Sequence, residues 1–180
     1  MKVEKIFYFA STHWDREWYQ TFQGFRARLV RMIDDLLDYM ENEPKFETFH
    51  FDGQTIVLED YIQIAPENEQ RLKKLIADGR IKIGPWYNMP DEFLVSGESL
   101  IRNLAVGAKL SKKWGAEPWK VGYICDIFGH IAQTPQIFSG FGIKSAVLGR
   151  GTNEEYPTYF DWTAPDGSVC TTFKLDAEGG

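Results

Sequence analysis

Short apolar runs alternate with longer amphipathic stretches along most of the chain. The apolar runs predict strands at residues 6–10, 48–52, 81–86, 121–125 and 145–149. Between the first two runs, apolar side chains recur every three or four residues from Phe22 to Met40, which predicts an amphipathic helix. Further helices are predicted at residues 67–79, 98–114 and 133–139. Strands that alternate with helices favour an α/β fold built from parallel βαβ units.

The pattern changes after Gly149. Two more apolar runs, at residues 159–163 and 169–173, flank the sequence A-P-D-G-S, which predicts a β-hairpin. No repeat, low-complexity tract or flexible linker divides residues 1–180, so we expect a single domain. The final residues, L-D-A-E-G-G, contain neither a helix cap nor a closing strand, which is typical of the first part of a longer domain.

Composition narrows the class of protein. The chain has 180 residues, of which 43% are hydrophobic, so it can bury a sizeable core. Its net charge of −6 argues against nucleic acid or an anionic membrane as a partner, because both select basic surfaces. The two cysteines do not form a secreted disulfide framework, and no signal peptide or membrane-spanning stretch is recognisable. These features predict a soluble, cytoplasmic protein.

Polar or aromatic residues follow every predicted strand of the βαβ pattern. In parallel α/β folds, active sites form at the carboxyl ends of the strands. The residues found there, from the first strand to the fifth, are His13 and Asp15, then Asp52, then Trp86, Asp91 and Glu92, then Asp126, Phe128 and His130, and finally Arg150. Five such strand ends in succession predict an active site at this edge of the sheet.

The first strand end offers ligands for a metal ion. Residues two apart in an extended segment point the same way, so His13 and Asp15 can face one point together. A histidine nitrogen and carboxylate oxygens suit zinc or a similar divalent ion, and Asp126 from a neighbouring strand end can provide a third ligand. The alternative is a histidine hydrogen-bonded to an aspartate. His50 is a further candidate ligand, whereas His130 is expected to cap the following helix.

Two aromatic side chains near the strand ends are candidates for sugar binding. Trp18 and Phe128 can stack on the apolar face of a sugar ring, although packing in the core is the alternative for both. Trp14 lies between the two candidate ligands, so its side chain should point away from them and pack against the protein.

These motifs together resemble one enzyme family. The sequence H-W-D-R-E-W, followed far downstream by Y-I-C-D-I-F-G-H, is similar to the retaining α-mannosidases of glycoside hydrolase family 38. The segments W-Y-N-M-P-D-E and G-R-G fit the same family, and the resemblance covers residues 3–162. It implies a parallel β/α barrel, incomplete in this chain, and the N-terminal portion of a catalytic domain. Bacterial members of the family include cytoplasmic enzymes that act on mannosyl-glycerate or short α-mannosides.

The resemblance also implies roles for particular residues. Asp126 would be the catalytic nucleophile, and Arg150 would lie beside it. Trp18 and Phe128 would line the sugar site. The zinc ion would be held by His13, Asp15 and Asp126. The substrate would be an α-mannoside or a mannosyl-oligosaccharide.

Family members are much longer than this chain. They take a fourth zinc ligand and the general acid from beyond position 180, so we expect the isolated chain to be inactive. Five β/α units cannot close a barrel, and an open sheet edge invites pairing with another chain. We therefore expect the chain to be a homo-oligomer, with the hairpin of residues 159–173 as the contact surface, or else to be only marginally stable.

Two other functions fit the same residues. A different metal-dependent hydrolase, such as a polysaccharide deacetylase, also gathers histidine and aspartate at strand ends but needs no carboxylate nucleophile. A non-catalytic carbohydrate-binding module would keep the aromatic residues and the fold without the reaction.

Overall fold

A computed structural model describes residue 5 and residues 7–175. The chain divides into two compact units: the first unit comprises Met1–Asp52 and Val57–Lys82, and the second unit comprises Gly53–Ile56 and Ile83–Gly180. The first unit contains the helix α1 (Phe22–Asn42), all but the first residue of α2 (Ile56–Ile62), a 3₁₀ turn (Pro66–Asn68), α3 (Glu69–Ala77) and the strands β1 (Phe49–His50) and β2 (Ile81–Lys82). The second unit contains α4 (Gly97–Lys113), β3 (Val121–Ile124), α5 (Thr134–Gly140), β4 (Ser145–Leu148), β5 (Tyr159–Thr163) and β6 (Val169–Lys174).

The helix α1 organises the first unit. Thr21 is the N-cap of α1, and its side-chain hydroxyl accepts a hydrogen bond from the Gly24 N–H over 3.3 Å. At the C-terminal end of α1, the Arg80 guanidinium donates hydrogen bonds to the Met40 carbonyl at 2.7 Å and to the Phe46 carbonyl, just beyond the helix, at 2.9 Å. The buried apolar side chains form the stripe that the periodicity predicted: Phe25, Leu29, Ile33, Leu36, Leu37 and Met40.

The strands of the first unit are shorter than predicted. β1 pairs in parallel with β2 over two residue pairs, and Ser11 adds an isolated parallel bridge to His50. The prediction of a buried first strand is wrong for residues 7–10, since the side chains of Phe7 and Tyr8 are 80% and 87% exposed. Ile6 lies outside the described residues. An apolar run shows that a segment favours burial, but it does not provide the backbone partner that a strand needs.

The second unit contains a mixed four-stranded sheet in the order β3–β4–β6–β5. β3, β4 and β6 are parallel, and β5 pairs antiparallel with β6 across the turn that contains A-P-D-G-S. The α5 side chain Phe138 packs directly over β3 at Gly122, where a Cβ atom would lie 2.2 Å from its ring. The buried core comprises Trp86, Leu104, Ile124, Ile127, Phe138, Ile143, Ala146, Leu148 and Cys170.

Both cysteines are free thiols. Burial raises the pKa of the Cys170 thiol to about 11, so this side chain stays protonated and packs as an apolar residue. The strands within residues 7–175 form one two-stranded and one four-stranded sheet. The barrel implied by the family resemblance therefore stays an expectation. Within the described part of the chain, no helix is both long enough and apolar enough to span a membrane.

Candidate functional site

Asp126 and Arg150 are brought together by two neighbouring parallel strands. Hydrogen bonds between the two chain segments continue beyond β3 and β4, from the Gly149 N–H to the Ile124 carbonyl at 2.9 Å and from the Arg150 N–H to the Cys125 carbonyl at 3.0 Å. The Arg150 Nε consequently lies 2.8 Å from the Asp126 Oδ1. These two residues, the Asp126–Arg150 pair, form an ion pair at the carboxyl ends of their strands.

Gly149 allows this close approach of the two backbones. A Cβ atom at this position would lie 2.0 Å from the Cys125 carbonyl oxygen, which no side chain can tolerate without a shift of the backbone. The glycine of G-R-G is therefore a packing requirement that sets the position of the next residue, Arg150.

The Asp126–Arg150 pair is open to a ligand and lies beside an aromatic ring. The side chain of Asp126 is 22% exposed and that of Arg150 is 61% exposed. Phe128 is 73% exposed, and the Arg150 guanidinium carbon lies 5.4 Å from its ring centroid. A charge-compensated carboxylate next to an exposed ring can act on a partly apolar, hydroxyl-bearing molecule.

A buried network lies next to the Asp126–Arg150 pair. The Glu92 carboxylate is 2.9 Å from His130 Nδ1, and its second oxygen accepts from the Ile131 N–H at 2.9 Å and from the Thr134 hydroxyl. The other ring nitrogen of His130 is 2.9 Å from the Arg150 carbonyl oxygen. The prediction that His130 caps α5 is therefore wrong. A buried carboxylate from a distant segment competes successfully for the ring, and spacing along the chain could not reveal it.

The first unit holds a second polar cluster, the His13 cluster, formed by His13, Asp15 and Asp52. His13 Nδ1 lies 3.0 Å from Asp52 Oδ2, and His13 Nε2 lies 3.6 Å from Asp15 Oδ1. The Trp14 N–H donates to the same Asp52 oxygen over 3.0 Å. Asp52 is almost completely buried and has a φ of +46°, a left-handed conformation that aspartate and asparagine adopt more readily than most residues.

The segment that carries His13 is also anchored one residue beyond Asp15. Arg16 makes a two-pronged contact with the buried Asp60 carboxylate, with its Nε at 2.7 Å and its NH2 group at 2.9 Å. Arg26 donates to the Asp60 carbonyl at 2.8 Å and thereby ties the same residue to α1. Part of the polar chemistry in H-W-D-R-E-W is therefore structural.

The remaining aromatic and histidine candidates of the first unit differ in exposure. Trp14 packs edge-on against Phe25 with 6.1 Å between the ring centroids, in the manner expected of a packing residue. Trp18 is 75% exposed, and its indole ring lies edge-on to the ring of Tyr19. His50 is fully buried in β1 and lies 5.3 Å from the Phe9 ring, so it is not presented to solvent as a ligand.

The donors of the His13 cluster fit a divalent metal ion. A metal-binding histidine usually gives its second N–H to a carboxylate, which sets the orientation of the ring. Asp52 is placed to accept from Nδ1, which leaves Nε2 directed toward Asp15. A ring nitrogen and a carboxylate oxygen then face the same region, and both side chains are partly exposed.

The structure brings some of the predicted site residues together, while the roles predicted for them stay predictions. His13 and Asp15 meet in the first unit, and Asp126, Phe128 and Arg150 meet in the second. The sharing of one metal ion by His13, Asp15 and Asp126 stays a prediction, as do the catalytic and sugar-binding roles. Asp52 and Glu92 could be predicted from the sequence only as polar strand-end residues, because the partners of a buried carboxylate lie far away along the chain.

Comparison with known proteins adds the family. Residues 4–177 match the family described as "Glycosyl hydrolases family 38 N-terminal domain". A protein of Halalkalibacterium halodurans named "Putative mannosylglycerate hydrolase" is 45% identical over 170 residues, covering 87% of this chain and 19% of that protein. The crystal structure of an alpha-mannosidase from Enterococcus faecalis V583 matches with a TM-score of 0.88 and 40% identity, over 94% of this chain and 20% of that one.

A more distant structure shares the fold alone. The 4-alpha-glucanotransferase from Thermococcus litoralis has a TM-score of 0.62 at 17% identity, over 80% of this chain and 24% of its own. The match over residues 4–177, on an α/β fold, defines the N-terminal domain of a glycosyl hydrolase. The chain belongs to glycosyl hydrolases family 38. It spans about a fifth of the length of the Halalkalibacterium halodurans protein and of the Enterococcus faecalis alpha-mannosidase.

Proposed function

We propose that the whole protein containing this chain is a retaining α-mannosidase that hydrolyses terminal α-mannosides. The observation that carries the proposal is the Asp126–Arg150 pair, placed at the ends of neighbouring parallel strands in a chain of family 38. Both compact units would belong to the N-terminal portion of one catalytic domain, in keeping with the match over residues 4–177.

Asp126 is the nucleophile in this proposal. Its carboxylate oxygen attacks the anomeric carbon of the mannoside as the bond to the leaving-group oxygen breaks, which forms a covalent glycosyl ester. The leaving-group oxygen takes its proton from the general acid, which the family resemblance places beyond position 180. Water then gives a proton back to that group as it attacks the same carbon, which releases mannose, regenerates the carboxylate and retains the anomeric configuration. Arg150 compensates the negative charge of Asp126, and Phe128 and Trp18 line the sugar.

We also propose that the protein uses zinc. The zinc set of His13, Asp15 and Asp126 rests on the family resemblance, and the contact from Asp52 to His13 supports it because it orients the ring as a metal ligand requires. When bound, zinc would hold two adjacent sugar hydroxyls and favour distortion of the ring. The chain's own carboxylates and aromatic rings position the sugar and make the attack.

The substrate class is an α-mannoside or a mannosyl-oligosaccharide. The name of the Halalkalibacterium halodurans relative supports mannosylglycerate as one small substrate to test. We further propose that the protein is cytoplasmic and homo-oligomeric, and that the 180-residue chain alone is inactive. The exposed edge strand β5, on which Tyr159 is 69% exposed, supports self-association of the isolated chain.

The test uses the whole protein and an aryl α-mannoside with a good leaving group. Release of the aryl group reports turnover, and NMR of the first-formed sugar reports its configuration. We expect hydrolysis with α-mannose as the first product, and no hydrolysis of the matching aryl β-mannoside. First-formed β-mannose would contradict the retaining mechanism. Deacetylation of an acetylated polysaccharide without mannoside hydrolysis would favour the deacetylase alternative instead.

A further inference from the structure

The buried residues Glu92 and His130 form a hydrogen-bonded chain that ends on the backbone of Arg150. We propose that Glu92 and His130 are positioning residues: they fix the Arg150 backbone and thereby align the Asp126–Arg150 pair. Neither residue touches the reacting atoms in the proposed mechanism. The inference rests on the proposed function in one respect, which is that Asp126 is the nucleophile.

Arg150 is held at both polar groups of its backbone. Its N–H donates to the Cys125 carbonyl over 3.0 Å, and its carbonyl accepts from His130 Nε2 over 2.9 Å. The Arg150 side chain is 61% exposed and long, so a free backbone would allow it many orientations. Fixing the backbone on both sides reduces these orientations and favours the 2.8 Å contact between Arg150 Nε and Asp126 Oδ1.

His130 is held in turn by Glu92. The side chains of His130 and Glu92 are 6% and 0% exposed, respectively, so the contact between them is shielded from solvent. A carbonyl oxygen only accepts hydrogen bonds, so His130 Nε2 is the donor to Arg150, and Nδ1 is left to pair with Glu92. Ile131 and Thr134 donate to the second oxygen of Glu92, so both of its carboxyl oxygens are hydrogen-bonded.

Packing keeps the ring of His130 in this orientation. Trp162 on β5 lies edge-on to the ring with centroids 5.4 Å apart. Gly151 is also close to the ring: its φ is +85°, and a Cβ atom there would lie 2.7 Å from His130 Nε2. The glycine after Arg150 therefore provides the space through which His130 reaches the Arg150 carbonyl. The whole arrangement, from Glu92 to Asp126, lies within the second unit.

The two nitrogens of His130 allow a matched pair of variants in the whole protein. In His130→Gln, the amide can take the place of Nε2 and still donate to the Arg150 carbonyl. In His130→Asn, the shorter amide takes the place of Nδ1 and keeps only the contact with Glu92. A third variant, Glu92→Gln, removes the carboxylate. The control is Glu98→Gln, which makes the same chemical change in an exposed pair with Arg102 on α4.

We expect the loss of the Arg150 contact to reduce kcat and leave KM nearly unchanged. On an aryl α-mannoside, His130→Asn should lower kcat by about 10- to 100-fold, because misplacing a catalytic contact by an ångström costs about this much. Glu92→Gln should lower kcat less, His130→Gln least of the three, and Glu98→Gln not at all. Zinc content should match that of the unchanged protein in all four variants.

Two outcomes would overturn the inference. One is an equal kcat for His130→Asn and His130→Gln. The other is a fall in kcat that follows the loss of thermal stability alone, so that a stabilising buffer restores it. If Glu92→Gln does not fold, the comparison of the two His130 variants decides. The variant Asp126→Asn separates a failure of the proposed function from a failure of the positioning role. If Asp126→Asn keeps its turnover, the proposed function fails. If Asp126→Asn is inactive while both His130 variants are fully active, only the positioning role is rejected.

Discussion

The two polar clusters of this protein are held in different ways. The Asp126–Arg150 pair follows two paired strands, and the backbone hydrogen bonds of those strands continue as far as Arg150. The His13 cluster follows a segment whose described residues form one isolated bridge, at Ser11, and it is held by side chains, above all by the buried carboxylates of Asp52 and Asp60. Strand register can thus deliver one site residue to another, whereas an irregular segment needs its own anchors.

This difference predicts how each cluster fails. The Asp126–Arg150 pair should be sensitive to changes that move a backbone, even where no charge is lost. The His13 cluster should be sensitive to the loss of a single carboxylate charge, even where the backbone is kept. Four substitutions in the whole protein test the contrast, taken from the largest expected effect to the smallest.

The largest effect is expected for Asp126→Asn. The amide keeps the shape of the side chain but removes the nucleophilic oxygen, so kcat on an aryl α-mannoside should fall by about 10³-fold or more. The control is Asp161→Asn on the exposed edge strand β5, which should retain normal turnover. Turnover near the normal value in Asp126→Asn would mean that the nucleophile is a different residue.

Gly149→Ala tests the role of the backbone in the second unit. The added Cβ atom would meet the Cys125 carbonyl at 2.0 Å, so the segment must shift and take Arg150 with it. We expect a loss of about 1–3 kcal/mol in the free energy of unfolding and a fall in kcat of about 100-fold. The control is Gly140→Ala in α5, where a Cβ atom meets nothing within 4 Å. Equal behaviour of the two variants in thermal unfolding and kinetics would refute the packing argument.

Asp52→Asn tests the role of a single charge in the first unit. Asparagine also tolerates the positive φ of this position, so the backbone should be retained. Loss of the carboxylate that orients His13 should weaken zinc binding by about 10- to 100-fold, measured by competition with a chelator. Asp38→Asn, which alters an exposed pair with Arg71, is the control. Unchanged zinc affinity in Asp52→Asn would show that His13 is not a ligand oriented by Asp52.

The smallest effect is expected for Phe128→Leu. Leucine keeps the apolar contact but loses the ring that lies near the Arg150 guanidinium, a contact of about 0.5–1 kcal/mol at an exposed site. The value of kcat/KM should fall by about two- to fivefold, since 1.4 kcal/mol corresponds to tenfold. Tyr159→Leu, an exposed aromatic residue on β5, should show no change. A larger loss with Tyr159→Leu than with Phe128→Leu would contradict the assignment of Phe128 to the sugar site.

The sequence predicted the second unit better than the first for a physical reason. The residues of β3, β4, β5 and β6 form apolar runs, and each strand has a neighbour to pair with, so the predicted bounds differ from the observed ones by a residue or less. The run at residues 7–10 is equally apolar, yet Phe7 and Tyr8 are exposed and no strand forms there. Periodicity reports which side chains favour burial, and strand length depends on a partner that periodicity does not describe.

The candidate site could also be predicted only in part from the sequence pattern. The pattern H-x-D predicted that His13 and Asp15 could face one point together, and the family resemblance implied that Arg150 would lie beside Asp126. The partners Asp52 of His13 and Glu92 of His130 lie 38 or more residues away along the chain. Both are buried acids whose neighbours depend on the fold, so only the structure pairs them with their histidines.

The central claim is that Asp126 carries the sugar during the reaction. A fluorinated mannoside with a good leaving group slows hydrolysis of the covalent intermediate, so the labelled whole protein can be digested and its peptides weighed by mass spectrometry. We predict that one fluoromannosyl group is added to the peptide containing Asp126, and that Asp126→Asn abolishes the label. A label on another carboxylate, or turnover of the aryl mannoside without any trapped peptide, would contradict the account.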